Sequence, residues 1–183
     1  MKKLFPLIIL LLISCSDVDY IPKPKAQLRL TYPQATYQRN DFPFFSFEAS
    51  NQAIVKRVSD KKINLDYPGM KATIYLTYNA INHNLEALLR DAEKFTYEHT
   101  VKADEIITQD FVNAPNRVYG TMNMVTGNAA SQIQFHATDS THHFLDGSLY
   151  FYAEPNYDSI MPAVKYLQKD VQHLLETLKW QEK

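Results

Sequence analysis

Cysteine, glycine and tryptophan are scarce in this chain: of its 183 residues one is Cys, four are Gly and one is Trp. A lone Cys15 excludes an intramolecular disulfide and a thiolate metal cluster. The four glycines, Gly69, Gly120, Gly127 and Gly147, are far apart, so no phosphate-binding loop or dinucleotide fingerprint can be assembled locally. There is no GxSxG elbow, no HExxH pair, no internal repeat and no low-complexity tract. Excess positive charge is lacking too. Nineteen basic side chains face twenty acidic ones, which excludes a basic footprint for nucleic acid. Aromatic residues, by contrast, are abundant, with twelve Tyr and ten Phe, as on half-buried antiparallel sheets where the ring packs and the hydroxyl stays wet.

Long apolar runs are absent as well, and the one short run has a specific form. Lys2 and Lys3 precede the apolar stretch Leu4 to Ile13, and the small Ser14 stands immediately before Cys15. As a helix that stretch spans ~15 Å, about half of a bilayer's ~30 Å hydrocarbon core, so it is too short for a transmembrane anchor. It reads as a signal peptide over residues 1–14 ending in a lipobox, Leu12-Ile13-Ser14-Cys15, with the cysteine as the site of lipid attachment. Each buried methylene contributes about 0.8 kcal/mol, so two or three acyl chains hold a protein durably on a membrane. Removing Lys2 and Lys3 with the signal leaves seventeen basic residues against twenty acidic, a mature chain that is mildly acidic.

Residues 15–26 are expected to be an extended tether, because Pro22, Pro24 and the intervening Lys23 favour polyproline-like backbone. The remainder, 27–183, is expected to be a single α+β domain, long enough to bury about 70% of its unfolded surface without a disulfide. Strands are predicted at Leu28–Tyr32, Phe44–Glu48, Ala53–Val58 and Lys62–Tyr67, with turns at Pro33, Asn40-Asp41 and Tyr67-Pro68-Gly69. The alternation of Met70, Ala72, Ile74 and Leu76 against Lys71, Thr73, Tyr75 and Thr77 predicts a further, half-buried strand. A helix is predicted from Leu85 to about His99, capped by Asn82 or Asn84, with Leu85, Leu88, Leu89, Ala92 and Phe95 on one face.

Beyond it the pattern returns to strands, at Ile106–Val112, Arg117–Val125, Gln132–Ala137 and Ser148–Ala153. Breaks are expected at Asn113-Ala114-Pro115-Asn116, at Gly127-Asn128, around Asp139 and at Asp146-Gly147. A last helix is predicted with Ser159 as cap, Pro162 in the first turn, and a stripe of Ile160, Val164, Leu167, Val171, Leu174, Leu175 and Leu178. Such a stripe must dock on a sheet face. The fold class expected is therefore α+β: an antiparallel sheet packed with two main helices.

Chemistry is concentrated in one stretch. His136, Asp139, His142 and His143 would make a metal-dependent hydrolase if a hairpin folded them onto one ion, but the spacing matches no metal-ligand pattern. The alternative is a hairpin loop in which Asp139, Ser140 and Thr141 hydrogen-bond their own backbone. Paired carboxylates at Asp104-Glu105 and at Asp17 and Asp19 read as solvated charge rather than acid–base pairs. His83 and His173 read as helix-surface residues, and Trp180 as the closing edge of the core or, if exposed, a binding anchor.

The strings GNAASQIQF, TDSTHHFLDGSLYFY and EPNYDSIMPAVKYLQKDVQHLLETLKW resemble the GldD family of gliding-motility lipoproteins of the Bacteroidota. So do the earlier strings YIPKPKAQLRLTYP, NLDYPGMKATIYLTYN and NLEALLRDAEKFTYEHTVKA. The resemblance runs over nearly the whole chain in family order. It implies an envelope lipoprotein required for gliding and working with the machinery that supports type IX secretion, with no established enzymatic activity; the chain is expected not to be an enzyme and to need no cofactor. By analogy the outline is similar to the PsbP-like α/β/α sandwich, a binding fold. The chain departs from the family pattern at Asp146, where a basic residue commonly precedes the glycine.

These readings combine into a membrane-tethered interaction module. Cys15 anchors it, and the loop Asp139 to Asp146 (Asp139, Ser140, Thr141, His142, His143 and Asp146) is the expected partner-binding surface. Other envelope proteins of the gliding and type IX secretion machinery are the expected partners, and nucleic acid is not. The membrane is expected to be the outer rather than the inner one, since Ser16 follows the cysteine. A small-ligand pocket between sheet and helix is the alternative within the binding class.

Overall fold

The structure is a computed structural model in which residues 32–98, 103–152 and 157–181 are described. The expected signal peptide, Cys15, the tether and all of the first expected strand except Tyr32 lie outside those residues. Within them the chain forms β1 (Tyr37–Asp41), β2 (Phe45–Ser50), β3 (Ile54–Arg57), β4 (Lys62–Tyr67), β5 (Ala72–Ala80) and helix α1 (Leu85–Glu98). There follow β6 (Ala103–Asn113), β7 (Val118–Gly127), β8 (Ser131–Thr138), β9 (His143–Phe151), helix α2 (Tyr157–Thr177) and β10 (Lys179–Trp180).

Seven strands make one antiparallel sheet in the order β3-β4-β5-β9-β8-β7-β6, and three make a small one in the order β1-β2-β10. The period-2 pattern decides which face of the large sheet is apolar. Ile63 and Leu65 of β4, Ile74 and Leu76 of β5, Ile133 of β8 and Leu145 and Leu149 of β9 are all essentially inaccessible to solvent on that face. Helix α2 closes over it with Val164, Leu167, Val171, Leu174 and Leu175, joined by Leu178 just after the helix and by Phe45 and Phe47 of β2. Each such side chain contributes about 2 kcal/mol on burial, so this one cluster supplies most of the drive to fold. After α2 the chain turns back along β2 as β10, pairing Trp180 with Phe45. Helix α1 lies over the opposite face of the large sheet, with Leu88, Asp91 and Ala92 close to Gln134, His136, Asp146 and Ser148. The architecture is the expected α+β arrangement of an antiparallel sheet with a helix on each side.

The strand Lys62–Tyr67 and the alternation through β5 are found as expected. Four local expectations need correction. Asn40 and Asp41 belong to β1, paired with Phe47 and Ser46, and the chain reverses after them, where Phe42 N–H donates to the Phe45 carbonyl. Ser159 is not the cap of the last helix. That helix begins at Tyr157, whose N–H is accepted by the side chain of Asn128, so the cap comes from a distant loop and Pro162 falls in the second turn. Asp146-Gly147 is not a break, since both lie inside β9, where Gly147 pairs with Phe135 of β8 and Leu76 of β5. A Cβ at Gly147 would stand 2.2 Å from the Phe135 ring, so the missing side chain makes room for an aromatic ring and no turn is involved. In consequence β9 starts at His143, five residues earlier than expected, and the loop before it shortens to residues 139–142. The break at Gly127 does occur, with φ at +87°.

Candidate functional site

The hairpin loop between β8 and β9 is built by Asp139. Its carboxylate accepts backbone N–H groups from Thr141 (3.0 Å), His142 (2.7 Å) and His143 (2.8 Å), and the Thr141 hydroxyl donates to it at 2.8 Å. Ser140, with φ at +68°, donates its N–H to the Thr138 hydroxyl, which in turn donates to the His143 carbonyl. Burial alone would raise the Asp139 carboxyl. The amides of His143, His142 and Thr141 outweigh it and hold the group well below the usual carboxylate range. Asp139, with its side chain 4% exposed, therefore shapes the loop from inside and does not present itself.

That loop forms one wall of a cleft of about 710 Å³. The other walls come from Tyr78 and residues 80–82 at the end of β5, from residues 115–117 between β6 and β7, from Phe44 before β2, and from Lys179 and Trp180. Aromatic rings run along its floor. Phe44 stacks on Tyr78 (centroids 4.5 Å apart), Tyr78 tilts against His143 (5.8 Å), and His143 stacks on Trp180 (5.2 Å). Hydrogen bonds set their orientation, with the Tyr78 hydroxyl 2.9 Å from His143 Nδ1 and Trp180 Nε1 donating to the Arg117 carbonyl at 3.0 Å. Burial lowers the pKa of His143, with Asp139 pulling the other way, and raises that of Tyr78. Arg117 donates to the Thr141 hydroxyl at 3.0 Å and lies 3.8 Å from Asp139. The rim is cationic, because Arg117 and Lys179 carry exposed charge there while the one carboxylate among the cleft's described residues, Asp139, is buried and occupied. His142 stands at the same rim, three-quarters exposed.

The sequence-predicted residues separate into two groups. Asp139, His142 and His143 meet at the cleft. His136 and Asp146 pair with each other across β8 and β9 on the far face of the sheet, beneath α1, so the loop surface does not extend to Asp146. For the same reason the four residues of the hydrolase reading, His136, Asp139, His142 and His143, do not converge. Among the described residues no group of three His, Cys, Asp or Glu side chains is disposed to hold a metal ion. His83 is exposed in the loop before α1. His173 stacks on Tyr37 and bonds Glu48 at 2.8 Å, away from the cleft. Phe44, Tyr78, Arg117 and Lys179 were not legible as site residues, for they come from segments far apart in the chain. Only the turn string over residues 113–116 marked one of the places where those segments meet.

Among the described residues no helix is long and apolar enough to cross a membrane. No curated protein matches the chain. The family model for gliding motility lipoprotein GldD matches residues 17–180.

Proposed function

The chain belongs to the GldD family of gliding motility lipoproteins, and from that premise we propose that it is a non-enzymatic docking module of the cell envelope, acting with the type IX secretion machinery. Lipid on Cys15 anchors it, residues 16–26 act as a spacer, and the cleft beside the 139–142 loop receives a segment of another envelope protein. The observation that carries this reading is the composition of the cleft. A row of preoriented rings, Phe44, Tyr78, His143 and Trp180, lies under a rim whose exposed charge is cationic. Rigid aromatic anchors inside a charged rim are the usual makings of an interface hot spot. The segment that fits carries a carboxylate to meet Arg117 and Lys179 next to an apolar or aromatic side chain that lies on Trp180.

Catalysis has little support in the same geometry. Among the described residues the cleft's one carboxylate is saturated by its own backbone, and His143 is committed to Tyr78. Attachment to the outer membrane is favoured by Ser16 after the cysteine, and fractionation of the two membranes on a density gradient tests it.

Negative charge introduced at the rim, by His142→Glu and by Lys179→Glu, tests the docking role, because both side chains are exposed there. Loss of gliding and of secretion with an unchanged unfolding temperature is the expected result. Normal gliding in both variants would overturn the assignment of the cleft.

A further inference from the structure

A second cavity, of about 490 Å³, lies between α1 and the outer face of the large sheet, and it shares no lining residue with the cleft. Its volume is within the range of small-molecule sites. Leu88 and Ala92 of α1, with Phe144, give it apolar walls, and its polar groups include Asn79, Gln134, His136, Asp146 and Ser148. Gln134 is 3% exposed, and neither its Oε1 nor its Nε2 has a hydrogen-bond partner among the described residues. Leaving a buried amide unpaired on both atoms is costly, and native cores avoid it. Among the described residues two carboxylates, Asp91 and Asp146, line the cavity, and no Lys or Arg does. Asp146 Oδ1 accepts from Asn79 Nδ2 at 3.2 Å, a neutral donor that leaves the charge uncompensated. His136 brings no positive charge either, since burial lowers its pKa, and its Nδ1 is engaged with the Thr121 hydroxyl.

A pocket with apolar walls, an unpaired amide and an uncompensated carboxylate is matched by one kind of guest. We propose that the cavity beneath α1 is a binding site for a small organic cation bearing a primary ammonium group. The ammonium donates to Asp146 and to Gln134 Oε1, its carbon chain lies against Leu88 and Phe144, and Gln134 Nε2 is left to donate to an oxygen where the ligand carries one. A half-buried carboxylate with no cation among the described residues gains more from such a guest than from a neutral one of equal shape.

The test compares 1,4-diaminobutane with 1,4-butanediol, which match in length and differ in charge, by calorimetric titration of the full-length protein in mild detergent. Saturable binding of one diamine per chain is expected, with the diol about tenfold weaker or worse. Asp146→Asn and Gln134→Leu should each weaken the diamine by about tenfold or more, and Lys179→Glu in the cleft should leave it unchanged. Equal affinity for diol and diamine, no saturable binding of the diamine, or undiminished binding in both cavity variants would overturn the proposal. The diol comparison uses the unaltered protein, so it decides the matter even if a variant fails to fold. Gliding assays on the rim variants are independent of it, so the cleft and the cavity can fail separately.

Discussion

Replacing Asp146 with Asn is expected to make the protein more stable, and the size of the gain follows from where the carboxyl sits. Asp146 projects from β9 into the space under α1, where burial pushes its pKa from 3.8 up to about 6 despite the hydrogen bond from Asn79. The folded chain therefore holds this proton more tightly than the unfolded chain does. Above pH 6 the folded state carries a half-buried charge at a cost of about 3 kcal/mol, accumulated as pH climbs from about 4 to about 6. Asparagine fills the same volume, still accepts from Asn79 through its side-chain oxygen, and has no charge to bury. Asp146→Asn should thus equal the wild type near pH 4 and exceed it by about 3 kcal/mol above pH 6.

Urea unfolding of the full-length protein in mild detergent, followed by the fluorescence of Trp180, reports this directly, since Trp180 is the sole tryptophan. His136 and His143 act in the opposite sense. Burial lowers both below the ordinary 6.5, so their contributions grow as pH rises toward that value. Taking the difference between variant and wild type at each pH cancels His143, which lies on the other face, while His136, the cross-strand neighbour of Asp146, is removed by repeating the comparison in a His136→Gln background. A difference that is flat from pH 4 to 8, or a variant weaker than the wild type near neutrality, would mean that the carboxylate is well satisfied where it lies. The argument for an uncompensated charge in that cavity would then fail.

Asp139→Ala should cost about 3 kcal/mol near neutral pH, because three backbone N–H groups lose their acceptor; the loss should persist down to about pH 4 and shrink below it, as the wild-type carboxylate itself is protonated. The same urea titration across pH checks both size and direction. Gly147→Ala should destabilise by about 2 kcal/mol, through the clash of the new methyl with the Phe135 ring, and a second change, Phe135→Leu, should recover part of that in a double-mutant cycle. Leu167→Ala, in the centre of the α2 stripe and fully buried, should cost about 3 kcal/mol by equilibrium unfolding. Cys15→Ser should release the protein from the membrane fraction of cells, as immunoblotting of fractionated cells would show.

Much of this fold was readable from side-chain periodicity. The β4 segment, the alternation along β5 and the stripe of α2 each bury one face only, so their spacing states the element and the face together. Asp146-Gly147 misled for a physical reason. Asp-Gly is among the preferred hairpin turn pairs, and nothing local reveals that the glycine is empty because Phe135, from another strand, occupies the space above it. The helix cap at Tyr157 misled in the same way, since its acceptor is Asn128.

By itself, then, the sequence determined the α+β class, the apolar faces and the self-bonded Asp139 loop, because each depends on residues close together in the chain. Only the tertiary structure decided which histidines share a site. Strand register sends His143 to one face of the sheet and His136 to the other, and brings Phe44, Tyr78, Arg117 and Trp180 around the first from segments tens of residues apart. Alternation tells which residues share a face of their own strand, but the partner across the ladder is set by the packing of the whole sheet.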